Sequence, residues 1–593
     1  MAEKGLRWNL GDIVPRGRFS ALYQSVESDL SKLTEAVKEL SPEMPEDRFR
    51  YWMDFIEDVL ERLSRLSGYC SLWEAADLNS QEAKLLRSRS DQLYIKYRDA
   101  VIPLHHWIKG LPVDGRRPLD EANARRLFQS HPDLSYVLSY MRSLAKYTLS
   151  PGEERIMSRK HVTGVGALCD VYDVVTNNFQ YRFRPRGGRA IIFKEQEKLR
   201  NYFYSTRPGE RQAAYRALFE PYQENLTALF LIYQAVVKDW ASDSQLRGFA
   251  SPISRRNIYN QVPDAAIQSL LDTVADNVGL FQEFFRLKAK LMGCQRLRRY
   301  DILAPVEKVD ARVPLARAKE LVLSTFRDFA PGFAARAEQV FKAKHIDTHP
   351  RPGKRSGAFC SNISPKVVPY VLLNYTGNQS SVFTLAHELG HAIHDLYASQ
   401  HSISAAGTTL PLAETASTIA EVIVFERLLE QAGSDRVRRA MLLQKMVDSY
   451  ATIVRQSYIV KYEIEAHRLV PQGVRADDLC GLYLDLLRSH LEKAVAVADE
   501  FRLEWAYIPH IFHTPFYCYA YSFGELLSLA LYARYRSQGS RFVSKIEKIL
   551  AYGSSQSPDQ ILKEVGIDMA DRKFWQGSFD ILQGWLNMLR KLS

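Results

Sequence analysis

Cysteine is scarce in this 593-residue chain: Cys70, Cys169, Cys294, Cys360, Cys480 and Cys518 stand far apart, with no CxxC pair among them. Such spacing argues against a disulfide scaffold and a cysteine-ligated metal, and it suits a reducing compartment in which the six are expected to be buried thiols. Long apolar runs are missing too. Hydrophobic stretches are broken by polar residues before they reach membrane-spanning length, and the opening MAEKGLRWNLGDIVPRGRF has no apolar run after its early lysine. A soluble, cytoplasmic protein with no membrane partner is expected. Low-complexity tracts and tandem repeats are also lacking, which argues against disorder and against a solenoid.

What is present is a globular composition, 46% hydrophobic and 25% charged, with a net charge of +11. That excess of base raises nucleic acid as a partner, since clustered Lys and Arg gain affinity by releasing counterions. The basic residues, however, are spread along the chain. The tightest groups, Arg182, Arg184, Arg186 and Arg189, then Arg296, Arg298 and Arg299, sit in hairpin-like or helix-end sequence. No nucleic-acid partner is expected.

Apolar residues recur at three- and four-residue spacing, as in Val59, Leu60, Leu63 and Leu66, or Leu479, Leu482, Tyr483, Leu486 and Leu487. That is the mark of amphipathic helices, so the fold class is mainly α. Two segments depart from it. Residues 179–184 and 190–193 flank Pro185-Arg186-Gly187-Gly188 and predict a β-hairpin. Residues 367–374, VVPYVLLN, predict a short strand that Pro369 confines to a sheet edge. A helical region over 1–195, ending in the hairpin, is expected to precede a domain over 196–593 that holds the chemistry.

Ser380 and Ser381 are candidate caps for the next helix, whose apolar face is Val382, Leu385, Ala386, Leu389 and Ile393. This helix carries His387-Glu388-Leu389-Gly390-His391. Histidines at i and i+4 share one face, so both imidazoles can reach one ion about 2 Å away. Glu388, beside a ligand but not itself one, can reach a metal-bound water as a general base. With 14 histidines in the chain, chance could supply the bare motif, so its helical context matters.

A catalytic zinc needs a third protein ligand and an open position. Candidates downstream are His394, Asp395, His401, Glu414, Glu421 and Glu426; the first two share the motif's own helix and would have to bend back. Glu414 is favoured, because the 23 residues after His391 allow a loop and a return helix starting near Pro411. Glu421, two turns further on, could fix an imidazole tautomer, as could Asp395 for His391. A further helix is predicted from near Pro515. The stretch from His510 to Tyr521 packs two histidines and three tyrosines, Tyr517, Tyr519 and Tyr521, into twelve residues. Aromatic clusters on helices usually build cores, but beside a metal they could stabilise an oxyanion.

Taken together, these residues resemble the M3 family of zinc oligopeptidases, most closely its oligoendopeptidase F branch, over nearly the whole chain. Trp8-Asn-Leu-Gly-Asp-Ile13, Arg247-Gly-Phe-Ala-Ser251, Tyr300-Asp-Ile-Leu-Ala-Pro305 and Lys354-Arg-Ser-Gly-Ala-Phe359 are similar to that branch's landmarks. Leu412-Ala-Glu414-Thr-Ala-Ser417 is similar to its third-ligand segment. The resemblance implies a large, two-lobed helical peptidase with a deep substrate channel and a small sheet beside the zinc-binding helix. It implies one Zn²⁺ on His387, His391 and Glu414, with Glu388 as base. It also implies that His510, Tyr517 and Tyr521 act as donors, and that the substrates are short unstructured peptides cut internally. The rival readings are a carboxypeptidase-like exopeptidase and a non-catalytic zinc- or peptide-binding protein; the retained Glu388 speaks against the second.

Overall fold

Amphipathic spacing becomes helix through most of the chain, in a computed structural model that describes residues 6–113, 115–185, 187–307 and 312–593. The chain is mainly α, as its periodicity requires. Among the described residues seven short strands accompany the helices: β1 (Tyr181–Phe183), β2 (Ile191–Phe193), β3 (Leu297–Arg298), β4 (Ile346–Asp347), β5 (Phe359–Ser361), β6 (Tyr370–Leu372) and β7 (Val495–Ala496). No helix among the described residues is long and apolar enough to cross a membrane.

The chain forms two compact units, each assembled from three separate segments. The first takes Met1–Lys146, Asp310–Leu428 and Arg534–Ile567; the second takes Tyr147–Val309, Leu429–Ala533 and Asp568–Ser593.

In the first unit, helices Phe19–Lys38, Glu46–Ala76 and Gln81–Ile108 bury one face each in a common core with Val59, Leu63, Leu66, Trp107 and Ile363. Acidic Glu46 and Asp47 open the second of these helices, favourably placed against its dipole. Ser80 caps the third by accepting from Ala83 N–H at 3.2 Å. The sheet of this unit has the order β4-β6-β5, with β4 parallel and β5 antiparallel to β6. The segment 367–374 is therefore not an edge strand, as Pro369 had suggested, but supplies the central one. Pro369 falls one residue before β6, where its missing N–H removes no ladder bond. Tyr370, Val371 and Leu372 are all fully buried, as a strand covered on both faces should be. The half-buried edge is β5.

In the second unit the expected hairpin forms: β1 and β2 pair antiparallel, with Tyr181 opposite Phe193. Gly187 follows at φ 76°, and Arg186 lies outside the described residues. Of the two basic runs, Arg182, Arg184 and Arg189 stay exposed, whereas the second is spent internally. Arg299 is buried on Glu504 at 2.7 Å, Arg298 binds Asp301 at 2.9 Å, and Arg211 is buried on the same Asp301 at 2.7 Å. The Tyr300-Asp301 landmark is thus a charge-paired buried corner, costly to break on one side only. All six cysteines are free; Cys70, Cys480 and Cys518 are buried as expected, but Cys294 is exposed.

Candidate metal centre and active site

The motif helix spans Gln379–Ala398 and buries the predicted face, Val382, Leu385, Ala386, Leu389 and Ile393, completely. Its cap is Asn378 instead of Ser380 or Ser381: the Asn378 side chain accepts from both Ser381 N–H and Ser381 O–H at 2.8 Å. The reason is the turn, where Gly377 at φ 81° brings the chain round to a cap two residues before the first of the serines.

The expected return helix is broken in two. A single turn, Leu410–Ala413, holds Pro411 in its first positions, and a second helix runs Thr415–Gln431. Glu414 is the residue between them, which frees its side chain from the helix surface. Gly390 makes this approach feasible. A Cβ there would lie 2.4 Å from Ser417 Cα and 2.7 Å from the Ala416 carbonyl oxygen, so only glycine lets the two main chains meet. A glycine costs about 1 kcal/mol against alanine inside a helix, which was the available sequence signal for a packing role.

The consequence is convergence. His387 Nε2 and His391 Nε2 stand 3.1 Å apart, and Glu414 Oε2 lies 3.4 Å from the first and 3.5 Å from the second. Ligand atoms held about 2.1 Å from one tetrahedral ion sit roughly 3.4 Å from each other, so this donor set fits a metal without rearrangement. Among the described residues these three form a group able to hold an ion. Their orientation is fixed from behind. His387 Nδ1–H donates to Glu421, the His391 ring bonds the Ala413 carbonyl, and Ser417 O–H donates to Glu414 Oε2 at 2.8 Å. Burial works against charge on His387, but Glu421, with Glu414 and Glu388 behind it, carries its pKa up to about 9.

Glu388 is buried beside this group and accepts the Cys360 main-chain N–H of β5. Burial pushes its carboxyl up to about 7; Glu414 and Glu421 add to the rise, and His387 opposes it. A carboxyl near neutrality is suited to taking and returning a proton. The cleft in front of it, ≈ 570 Å³, is lined by Phe359, Cys360, Asn362, His387, Glu388 and His391, among others. Its wall is anchored to helix Glu46–Ala76, where Ser64 O–H donates to the Ile363 carbonyl at 2.6 Å and Ser364 O–H to Glu61 at 2.8 Å.

The other candidates fall elsewhere. Asp395 faces Cys360 and Asn362 instead of supporting His391, and burial pushes its carboxyl up to about 7. Burial, with His391 adding, holds His394 down to about 3, so it stays neutral. His401 binds Asp133 at 2.6 Å and the Ala551 carbonyl at 2.9 Å, and Glu426 lies 4.0 Å from Arg536.

In the second unit, His510, Tyr517 and Tyr521 form a single cluster. The rings of His510 and Tyr517 stack at 5.7 Å, Tyr517 meets Tyr521 edge-on at 5.3 Å, and the Tyr521 hydroxyl lies 3.2 Å from His510 Nε2. Tyr519 is excluded from it: fully buried, its hydroxyl accepts from Asn260 at 2.6 Å. The helix predicted from Pro515 starts instead at Tyr519, with the short helix Pro509–His513 before it. Between them Phe516 takes φ 59°, a left-handed turn that periodicity does not reveal. Two side chains clamp that turn. The wholly buried Glu463 accepts Phe516 N–H at 2.7 Å, and Arg256 Nε donates to the Pro515 carbonyl at 3.0 Å. Neither residue carried a sequence signal.

A mainly helical protein in which the two histidines of a helix-borne HExxH meet a third, acidic ligand candidate, with a buried glutamate beside them, is a metallopeptidase in class. The sequence pattern of peptidase family M3 matches residues 201–581, and the chain belongs to that family. It is 24% identical to Oligopeptidase PepF of Bacillus subtilis (strain 168), over 95% of this chain and 83% of that one. It is also 24% identical to an Oligoendopeptidase F homolog of Lactococcus lactis subsp. lactis, over 99% and 97%. These place it in the oligoendopeptidase F branch. A crystal structure from Chlamydophila abortus shares the fold, with a TM-score of 0.87 at 20% identity across 99% of this chain and 98% of that one.

Proposed function

We propose that this chain is a zinc-dependent endopeptidase acting on short, unstructured peptides. The observation that carries the reading is the convergence of His387, His391 and Glu414 next to a buried Glu388. Zinc held there supplies Lewis acidity toward water and the scissile carbonyl. Glu388 takes the proton of the attacking water, keeps it in its buried site, and passes it to the leaving amine. Glu421 and the Ala413 carbonyl hold the two imidazoles in the tautomers that leave Nε2 free to ligate. The half-buried edge of β5 is suited to pairing with an extended substrate backbone, which would give affinity with little sequence preference. His510 with Tyr517 and Tyr521 is assigned the task of donating to the oxyanion, on the strength of its mutual geometry and of the family resemblance.

Product mapping tests the reading. The zinc-loaded protein, incubated with a mixed pool of peptides, should release internal fragments detectable by mass spectrometry. Products shortened only from one end would replace endopeptidase with exopeptidase action, and an uncut pool would overturn the peptidase reading.

A further inference from the structure

A second cavity, ≈ 680 Å³, opens beside His510 wholly within the second unit, between helix Ala167–Asn177, the end of β2 and the segment 507–510. Its charges do not balance. The three carboxylates on its wall are each engaged: Asp173 with His513 at 2.9 Å, Glu195 with Lys198 at 3.0 Å, Glu197 with Arg200 at 3.1 Å. Lys194, exposed on the same wall, has no ion-pair or hydrogen-bond partner among the described residues.

Arg455 is the deeper cation. Its Nε and Nη2 both reach Glu504 Oε1, at 3.3 and 3.1 Å, and Nη1 makes no hydrogen bond. Glu504 already receives Arg299 at 2.7 Å, so two guanidiniums share one carboxylate and the group retains one positive charge. Arg455 keeps about 20% of its side chain exposed on the cavity wall, so this surplus charge is only partly solvated and favours a compensating anion there. Two further features point the same way. Arg455 closes a π-helical stretch, Tyr450–Arg455, an irregularity that re-aims side chains and often marks functional positions. The adjoining Gln456 has a buried side-chain oxygen with no partner, an acceptor suited to a peptide N–H.

We propose that this cavity binds a carboxylate of the peptide substrate, with Arg455 and Lys194 as its cationic partners and Gln456 accepting the neighbouring amide. Guanidinium and carboxylate match as a charge-assisted pair, and Arg455 still has an unused N–H edge to offer. The carboxylate is either the peptide's free C-terminus or an acidic side chain; both present the same chemistry. This inference rests on the peptidase reading and adds to it a determinant of how a peptide is held.

The test uses unlabelled peptides of one sequence that differ only in charge: free acid against C-terminal amide, and Glu against Gln at successive positions. KM and kcat are measured with the zinc-loaded full chain. One of these neutralisations should raise KM about tenfold or more, the size expected for a lost charged hydrogen bond, and which one does so identifies the source. Arg455→Gln should bring that ratio close to one, and Lys194→Ala, an exposed change that leaves the buried Glu504 group intact, should reduce it severalfold. The inference fails if neither neutralisation moves KM in the wild type, or if both variants keep the full ratio. Cleavage that is normal but indifferent to charge would sink this inference alone, whereas no cleavage of any peptide would sink the peptidase reading with it.

Discussion

The two candidate clusters are built in opposite ways. In the first unit, His387, Glu388 and His391 ride on one regular helix, and their geometry follows from 3.6 residues per turn. In the second, His510 and Tyr521 lie on different helices, and Tyr517 belongs to a turn held in a left-handed conformation by Glu463 and Arg256. A regular element makes its constellation legible and robust. A clamped turn makes it dependent on distant residues.

Catalysis gives the largest contrasts. Glu388→Gln should lower kcat on a quenched peptide by about 10²–10⁴-fold, the usual worth of a positioned acid-base group. Next, Tyr521→Phe should cost about 10²-fold in kcat with metal content unchanged, as for one lost oxyanion donor. Tyr519→Phe is its control, since that hydroxyl only meets Asn260, and its kcat should stay within a few-fold of wild type. Equal losses in the two would erase the distinction drawn between them.

Stability separates the clusters more finely. Gly390→Ala forces a Cβ against the Ser417 main chain, and overpacking of this kind costs about 1–3 kcal/mol. Thermal melting should fall and zinc should bind more weakly, because the Glu414 junction is pushed away; an unchanged melt and zinc titration would show that the contact can relax. The smallest effect is one of pH. Burial holds Glu463 up to about 8 from its ordinary 4.5, with Phe516 N–H and Arg256 opposing. Its folded form keeps the proton that the unfolded chain releases, so its contribution is full below about pH 4.5 and is lost as pH rises through 8. The wild-type Tm should therefore drop more steeply than that of Glu463→Gln between pH 5 and 8.5, and parallel curves would remove the charge from the clamp.

Much of the first cluster was legible in the sequence because its signals are local. The i, i+4 histidines, the apolar face of the motif helix and the third-ligand segment all carry periodic or familial marks. What was missed there hung on single residues: Asn378 displaced two serines as cap, and the helix broke at Glu414 where a continuous one was expected. The strand at 370–372 was foreseen, but its central position depends on β4 and β5, whose short sequences carry no alternation. In the second cluster the residue types were visible and the register was not. The start of the helix at Tyr519 depends on the φ of Phe516, set by side chains some fifty residues and more than two hundred residues away in the chain.

The most direct measurement is the zinc-to-protein ratio after dialysis, compared across wild type, Glu388→Gln and Glu414→Ala. The expected result is one ion per chain in the first two, with turnover lost in Glu388→Gln, and a marked loss of zinc in Glu414→Ala. Full zinc in Glu414→Ala, or normal turnover in Glu388→Gln, would contradict the assignment of the metal centre.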